Sequence, residues 1–105
     1  MGKLTYDSTF IVDFEDRTLA HLHLVIGGKL RRGESFFFGR KDDPAIGNGR
    51  TSIWLQPNGP LVFKFHGSRP PQINRRWIEV LTVSANSPGG LLLLNEPRVA
   101  GLDAR

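Results

Sequence analysis

The segment from Asp16 to Gly33, DRTLAHLHLVIGGKLRRG, runs without a break into ESFFF. At about 100° per residue Leu19, Leu22, His23, Ile26 and Leu30 fall on one face, which predicts a helix whose apolar side needs a sheet to cover it. Asp13, Glu15 and Asp16 stand at its start and Lys29, Arg31 and Arg32 at its end, the order a helix dipole favours, and Gly33 stops it. A helix that passes directly into an aromatic strand restricts the chain to folds in which helices pack on a sheet.

The flanking patterns fill in that sheet. From Leu4 to Phe14 the apolar residues keep even parity (Leu4, Tyr6, Phe10, Val12, Phe14), a half-buried strand pattern. A two-residue turn at Asp7-Ser8 would throw Phe10 to the wrong face. A three-residue loop, Asp7-Ser8-Thr9, opposes Tyr6 to Phe10 and Leu4 to Val12, so the segment is such a hairpin or one continuous strand. Glu34 to Arg40 reads as a strand, Gly39 to Arg50 as a polar loop, and Thr51–Gln56 and Leu61–His66 as a hairpin closed by Pro57-Asn58-Gly59-Pro60. A second helix is expected from about Ile73 to Ala85, with Ile73, Trp77, Val80, Leu81 and Ser84 inward, ended by Asn86-Ser87-Pro88-Gly89-Gly90. Leu91 to Leu94 suits an interior strand. The expected fold is therefore an α+β two-layer sandwich: a mainly antiparallel sheet of about five or six strands with two helices on one face. Residues 1–95 would form a single domain and 96–105 a loose tail.

The 105 residues suffice for one core, and no apolar run approaches the roughly 20 residues of a membrane span. There is no cysteine, hence neither disulfide nor thiolate ligand, and the N-terminus alternates at once instead of opening on the apolar stretch of a signal peptide. Met1-Gly2 is not followed by the Ser or Thr that myristoylation wants, since the sixth residue is Tyr6. A cytoplasmic location is expected. The net charge of +4 is unevenly placed. Residues 17–76 hold eleven basic residues (Arg17, Lys29, Arg31, Arg32, Arg40, Lys41, Arg50, Lys64, Arg69, Arg75 and Arg76) against three acidic ones (Glu34, Asp42 and Asp43). Such a basic middle suits a phosphate-bearing partner, although helix ends collect the same charges without binding anything.

Catalytic chemistry finds no support in the residue pattern. On a helix His21 and His23 point about 200° apart, which does not make a metal site. Asp42 and Asp43 read as a solvated turn, and Gly47-Asn48-Gly49 lacks the Lys and Ser/Thr of a P-loop. Neither a metal nor another cofactor is expected. If the helices cover the face bearing Phe36, Phe38, Ile53, Leu55, Leu61, Phe63 and Phe65, the other face bears Phe37, Ser52, Trp54, Gln56, Val62, Lys64 and His66. Phe37 and Trp54 beside Lys64 and His66 are the ingredients of a base-stacking platform, with Arg40, Lys41 and Arg50 nearby for phosphates. The same aromatics also suit a cross-strand pair or a subunit contact, and one sequence leaves the parity open. On the first helix Ala20, Leu24 and Gly28 form a flatter stripe that would admit another backbone, a candidate homo-oligomer contact; alternatively Gly27 and Gly28 are simply two glycines tolerated near a fraying end.

Taken as runs, MGKLTY, DRTLAHLHLVIGGKLRRGESFFF, IWLQPNGPLVFKFHGSRPP and INRRWIEVLTVSANSPGGL, nearly the whole chain resembles a family of short actinobacterial and actinophage proteins often labelled ATP-dependent DNA ligases. Ligase adenylation uses a Lys-x-Asp-Gly motif. The nearest match is Lys41-Asp42-Asp43-Pro44, with Pro in place of Gly and no further nucleotidyltransferase motif after it, so no catalytic lysine is carried over to Lys41. The resemblance implies an association with nucleic acid. Together these readings predict a small, non-enzymatic basic module that binds nucleic acid with little sequence preference, or alternatively a self-associating interaction protein with no nucleic-acid role.

Overall fold

The computed structural model describes residues 1–41, 47 and 49–97. The order of elements is β1 (Gly2–Tyr6), β2 (Phe10–Phe14), α1 (Asp16–Arg31), β3 (Phe36–Lys41), β4 (Arg50–Leu55), β5 (Leu61–Lys64), α2 (Arg75–Ala85) and β6 (Leu91–Leu92). The fold is α+β, with two helices and a mainly antiparallel set of six strands. The strands form two three-stranded sheets, β2-β1-β5 and β4-β3-β6, where one sheet was expected. β6 alone runs parallel to its neighbour, β3. α1 packs on β1 and β2, α2 on β3 and β6, and the helices lie against each other.

The first hairpin has the expected register. Tyr6 pairs with Phe10 and Leu4 with Val12 across the loop Asp7–Thr9. Asp7 and Ser8 take the left-handed conformation there, at φ 55° and 61°, which is the sense of turn that matches strand twist.

The expected hairpin over residues 51–66 does not form. β4 pairs with β3, while β5 crosses to β1 in the other sheet, setting Leu61 opposite Tyr6 and Phe63 opposite Leu4. The Pro57–Pro60 segment acts as a crossover. It is held by the Asp7 N–H, which donates to the Pro60 carbonyl at 2.9 Å, and by Tyr6, whose ring occupies the space a side chain on Gly59 would need. β3 likewise continues past the expected start of the 39–50 loop, because Gly39, Arg40 and Lys41 pair with Ser52, Thr51 and Arg50. The remainder of that loop at 42–46 and 48, including Asp42, Asp43 and Asn48, lies outside the described residues.

The core is built from Leu4, Val12, Leu19, Leu22, Ile26, Phe38, Leu55, Trp77, Leu81 and Leu91, with Phe14 and Phe38 joining the two sheets at a ring separation of 6.4 Å. Two helix faces differ from expectation. On α1 the buried set includes His21, Val25 and Lys29, while His23 is exposed and meets the Phe63 ring edge-on at 4.8 Å. On α2 the buried residues are Trp77, Leu81 and Ala85, whereas Ile73 lies exposed ahead of the helix. Leu91 alone of the 91–94 run is buried; Leu92, Leu93 and Leu94 are exposed, so this is not an interior strand.

The polar residues buried among these elements explain the shifts. His21 is completely buried. Its Nδ1 lies 2.7 Å from the Arg17 carbonyl and its Nε2 lies 2.8 Å from the Asn74 backbone nitrogen. The Asn74 N–H can only donate and the Arg17 carbonyl only accept, so the ring is neutral with its proton on Nδ1. Asn74 caps α2 by accepting from the Arg76 and Trp77 N–H groups, and its amide donates to Glu96 and to the Pro97 carbonyl. Trp77 stacks on His21 at 4.5 Å and donates its indole N–H to the Leu94 carbonyl. Arg17 grips both Glu96 carboxylate oxygens and donates to the Gln72 carbonyl. Glu96 and Pro97, at the start of the expected tail, are thus tied to both helices, and 98–105 lie outside the described residues. At the far end of α1, the buried Lys29 ammonium meets Glu34 at 2.9 Å and Asn86 at 2.6 Å, and stands 5.4 Å from the Phe36 ring. Lysine at this position clamps the helix end to α2 and β3.

The hairpin loop and the Arg17–Glu96 pair can each be tested. A left-handed L-residue costs about 1–2 kcal/mol, so Ser8→Gly is expected to raise stability by about 1 kcal/mol in chemical denaturation; a loss would show that the Ser8 side chain holds the loop. The second test concerns acid. The Arg17 guanidinium holds the Glu96 carboxyl at about 2, below its ordinary 4.5. A depressed acid stabilises the fold fully above about pH 4.5, and that contribution falls away as the pH drops toward 2. Glu96→Gln should therefore flatten the decline of melting temperature between those pH values, and an unchanged acid limb would refute the assignment.

Candidate nucleic-acid interface

β3 and β4 form a two-stranded ribbon whose register places three rows on its outer side. Phe37 stands opposite Trp54, Gly39 opposite Ser52, and Lys41 opposite Arg50. The alternation of side chains makes this a direct consequence of burying Phe36, Phe38 and Leu55 on the other side. The parity that the sequence left open is thereby settled. Phe37 is 43% and Trp54 49% exposed, and their rings meet edge to face at 4.9 Å. They are both a cross-strand pair and an open aromatic surface.

The middle row is flat for a packing reason. A Cβ on Gly39 would come within 3.0 Å of Leu92 Cδ2, so the glycine lets β6 close against β3. Gly90, at φ 86°, sits directly against the Phe37 backbone, where any side chain would collide. Beside this row lies a groove of about 960 Å³, bordered by Arg40, Arg50, Ser52, Gly39, Leu92 and Leu94. Its lining combines two arginines with leucines.

The other expected binding residues are placed elsewhere. Arg40 has the inward parity of Phe38 and stands opposite Thr51, reaching the groove instead of the outer rows. Lys64 and His66 are exposed on the β2-β1-β5 sheet and its extension, apart from the ribbon. Lys64 stands opposite Lys3, which pairs with Asp13 at 2.7 Å and holds that carboxyl below its usual range. The backbone N–H groups of His66 and Gly67 donate to Asp16, holding its carboxyl below the usual range and tying β5 to the start of α1. The platform of Phe37, Trp54, Lys64 and His66 is therefore divided between two sheets. Charge is redistributed too, because Arg17, Lys29 and Arg32 of the basic middle pair with Glu96 and Glu34. Glu34 is held below its usual range by Lys29 first and Arg32 second. Among the described residues Arg50 has no acidic partner.

On α1, Ala20 and Gly28 are half-buried and Leu24 is 48% exposed, on the side away from the core. Among the described residues, no group of three His, Asp or Glu side chains could hold a metal ion, and no helix is long and apolar enough to cross a membrane. His21 is committed to backbone partners at both ring nitrogens, which the sequence pattern alone could not reveal.

Fold and surface define a small α+β protein that carries an aromatic and basic ribbon outside two helix-backed sheets. Residues 1–96 match the family described as Domain of unknown function (DUF7882), and the chain belongs to that family. No curated protein and no solved structure matches it.

The two tryptophans should separate in stability. Trp77 is buried, and Trp77→Ala is expected to cost about 3–5 kcal/mol. Trp54→Ala should remove only the cross-strand pair, about 1 kcal/mol or less. Equal losses in urea titration would contradict the outward placement of Trp54.

Proposed function

We propose that this protein is a small, non-enzymatic nucleic-acid-binding module of the cytoplasm, acting through the outer face of β3 and β4 with little sequence preference. The observation that carries the reading is the exposed Phe37–Trp54 pair two rows from the Arg50 and Lys41 positions on one ribbon face. Four residues along a strand span about 13 Å, so a base stacked on Trp54 leaves its chain within reach of the basic row. Stacking on an aromatic face needs an unpaired base, which favours a single strand over a duplex. Arg40, at the groove, adds a further cation beside the same path. The resemblance to proteins labelled as DNA ligases agrees with a nucleic-acid partner, while Pro44 in place of the motif's glycine speaks against adenylation at Lys41.

The competing reading is self-association without a nucleic-acid role, favoured by the outward exposure of Leu24 between Ala20 and Gly28. Salt separates the two, because phosphate contacts release counterions and an apolar contact does not. Fluorescence anisotropy of labelled single-stranded DNA and RNA against the full chain should show binding that weakens steeply with salt. Trp54→Ala should weaken it about tenfold or more, as loss of one stacked base costs about 1–3 kcal/mol. The combined Arg40→Ala, Lys41→Ala and Arg50→Ala variant should lower both affinity and salt slope. Unchanged binding by that variant would rule out this face.

A further inference from the structure

β4 is an edge strand, paired with β3 on one side and, among the described residues, with no strand on the other. Which of its backbone groups face outward can be read from one distance. The Thr51 carbonyl oxygen lies 3.7 Å from the position a Cβ on Gly39 would take, so it points toward β3. Alternation along an antiparallel strand then turns the N–H and C=O groups of Arg50, Ser52 and Trp54 away from β3, toward the open edge. All three residues are exposed. The strand, RTSIWL, has no proline and its one charge is at its end, so its own sequence does not block pairing at the edge.

We infer that this edge pairs with the same edge of a second copy, joining two β4-β3-β6 sheets into one six-stranded sheet across a two-fold axis at Ser52. Antiparallel partners must point to the same face, so outward residues have to meet outward residues. With Ser52 opposite Ser52 of the second copy, Arg50 falls opposite Trp54 and Thr51 opposite Ile53, which meets that condition at every position. The outward backbone groups of Arg50, Ser52 and Trp54 become the bonded set. Symmetry makes the favourable contact occur twice, because each Arg50 lies beside the other copy's Trp54 indole, which Phe37 already contacts on its other side. A second copy fits better than an arbitrary peptide because the strand's own sequence supplies this cation–aromatic complement. The inference does not depend on the nucleic-acid reading or on the α1 stripe.

Residue 52 provides the test, since it is exposed and would face itself across the axis. Ser52→Lys and Ser52→Glu each place two like charges opposite one another, whereas an equimolar mixture places unlike charges there. Sedimentation equilibrium of the full chain over a wide concentration range should show a monomer–dimer equilibrium for the natural sequence. Each variant alone should dimerise about fivefold more weakly or worse, and the mixture should recover the dimer. Leu24→Glu should leave the equilibrium unchanged. Ser52→Pro gives an independent check, because it removes an N–H that points away from β3 and so spares the β3–β4 ladder; it should be folded by circular dichroism and monomeric. A monomer at all concentrations, charged variants that dimerise normally, a mixture that fails to recover, or a dimer abolished by Leu24→Glu would each overturn the inference.

Discussion

The fold depends on one buried imidazole. His21 lies in the middle of α1 with no access to solvent, and both of its nitrogens must find partners because an unpaired polar atom there would cost about 1–3 kcal/mol. One partner is the carbonyl a turn earlier in its own helix. The other is the N–H of Asn74, 53 positions further along the chain. This bond fixes where α2 begins, since the same Asn74 supplies the cap with its side-chain oxygen. It also fixes where the chain runs afterwards, because the Asn74 amide and Arg17 together hold Glu96. An apolar side chain of similar size in place of His21 would fill the volume but leave the Asn74 N–H buried without a partner.

That junction and the Lys29 clamp at the other end of α1 hold the two helices at fixed positions behind the sheets. The outer face of the ribbon inherits its shape from them. Phe36 and Phe38 are buried under this frame, so Phe37 has nowhere to point but outward, and Trp54 follows by register. An aromatic surface built on paired strands over a packed core is already ordered before any ligand arrives, so binding there does not spend free energy on arranging it.

Charge in this protein divides into two populations. Arg17, Lys29 and Arg32 contact carboxylates and serve the architecture. Arg50, at the end of the ribbon, has no acidic partner among the described residues and stands where a phosphate chain crossing the face would pass. The excess of basic residues between positions 17 and 76 therefore overstates the surface available to a polyanion. For the proposed binding, the relevant cations are those placed beside Phe37 and Trp54.

Elements governed by local periodicity and turn chemistry were legible in the amino-acid order. The 3.6-residue pattern and terminal Gly33 of the first helix and the three-residue loop that keeps Tyr6 opposite Phe10 follow from nearby residues. Pairings between distant strands were settled only in three dimensions. Thr51–Gln56 and Leu61–His66 satisfy every local condition for a hairpin, yet each strand finds a better-buried neighbour, β3 for one and β1 for the other. Local pattern cannot weigh that competition, because the gain comes from covering Leu4 and Phe38 far away in the chain. For the same reason the candidate site was only half legible: Arg50 and Trp54 share a face by alternation along one strand, Phe37 joins them through the β3–β4 register, and Lys64 and His66 were removed from it by a choice of sheet. The burial of His21 in place of His23 was likewise set by Asn74 and Trp77, whose approach no pattern within the helix records.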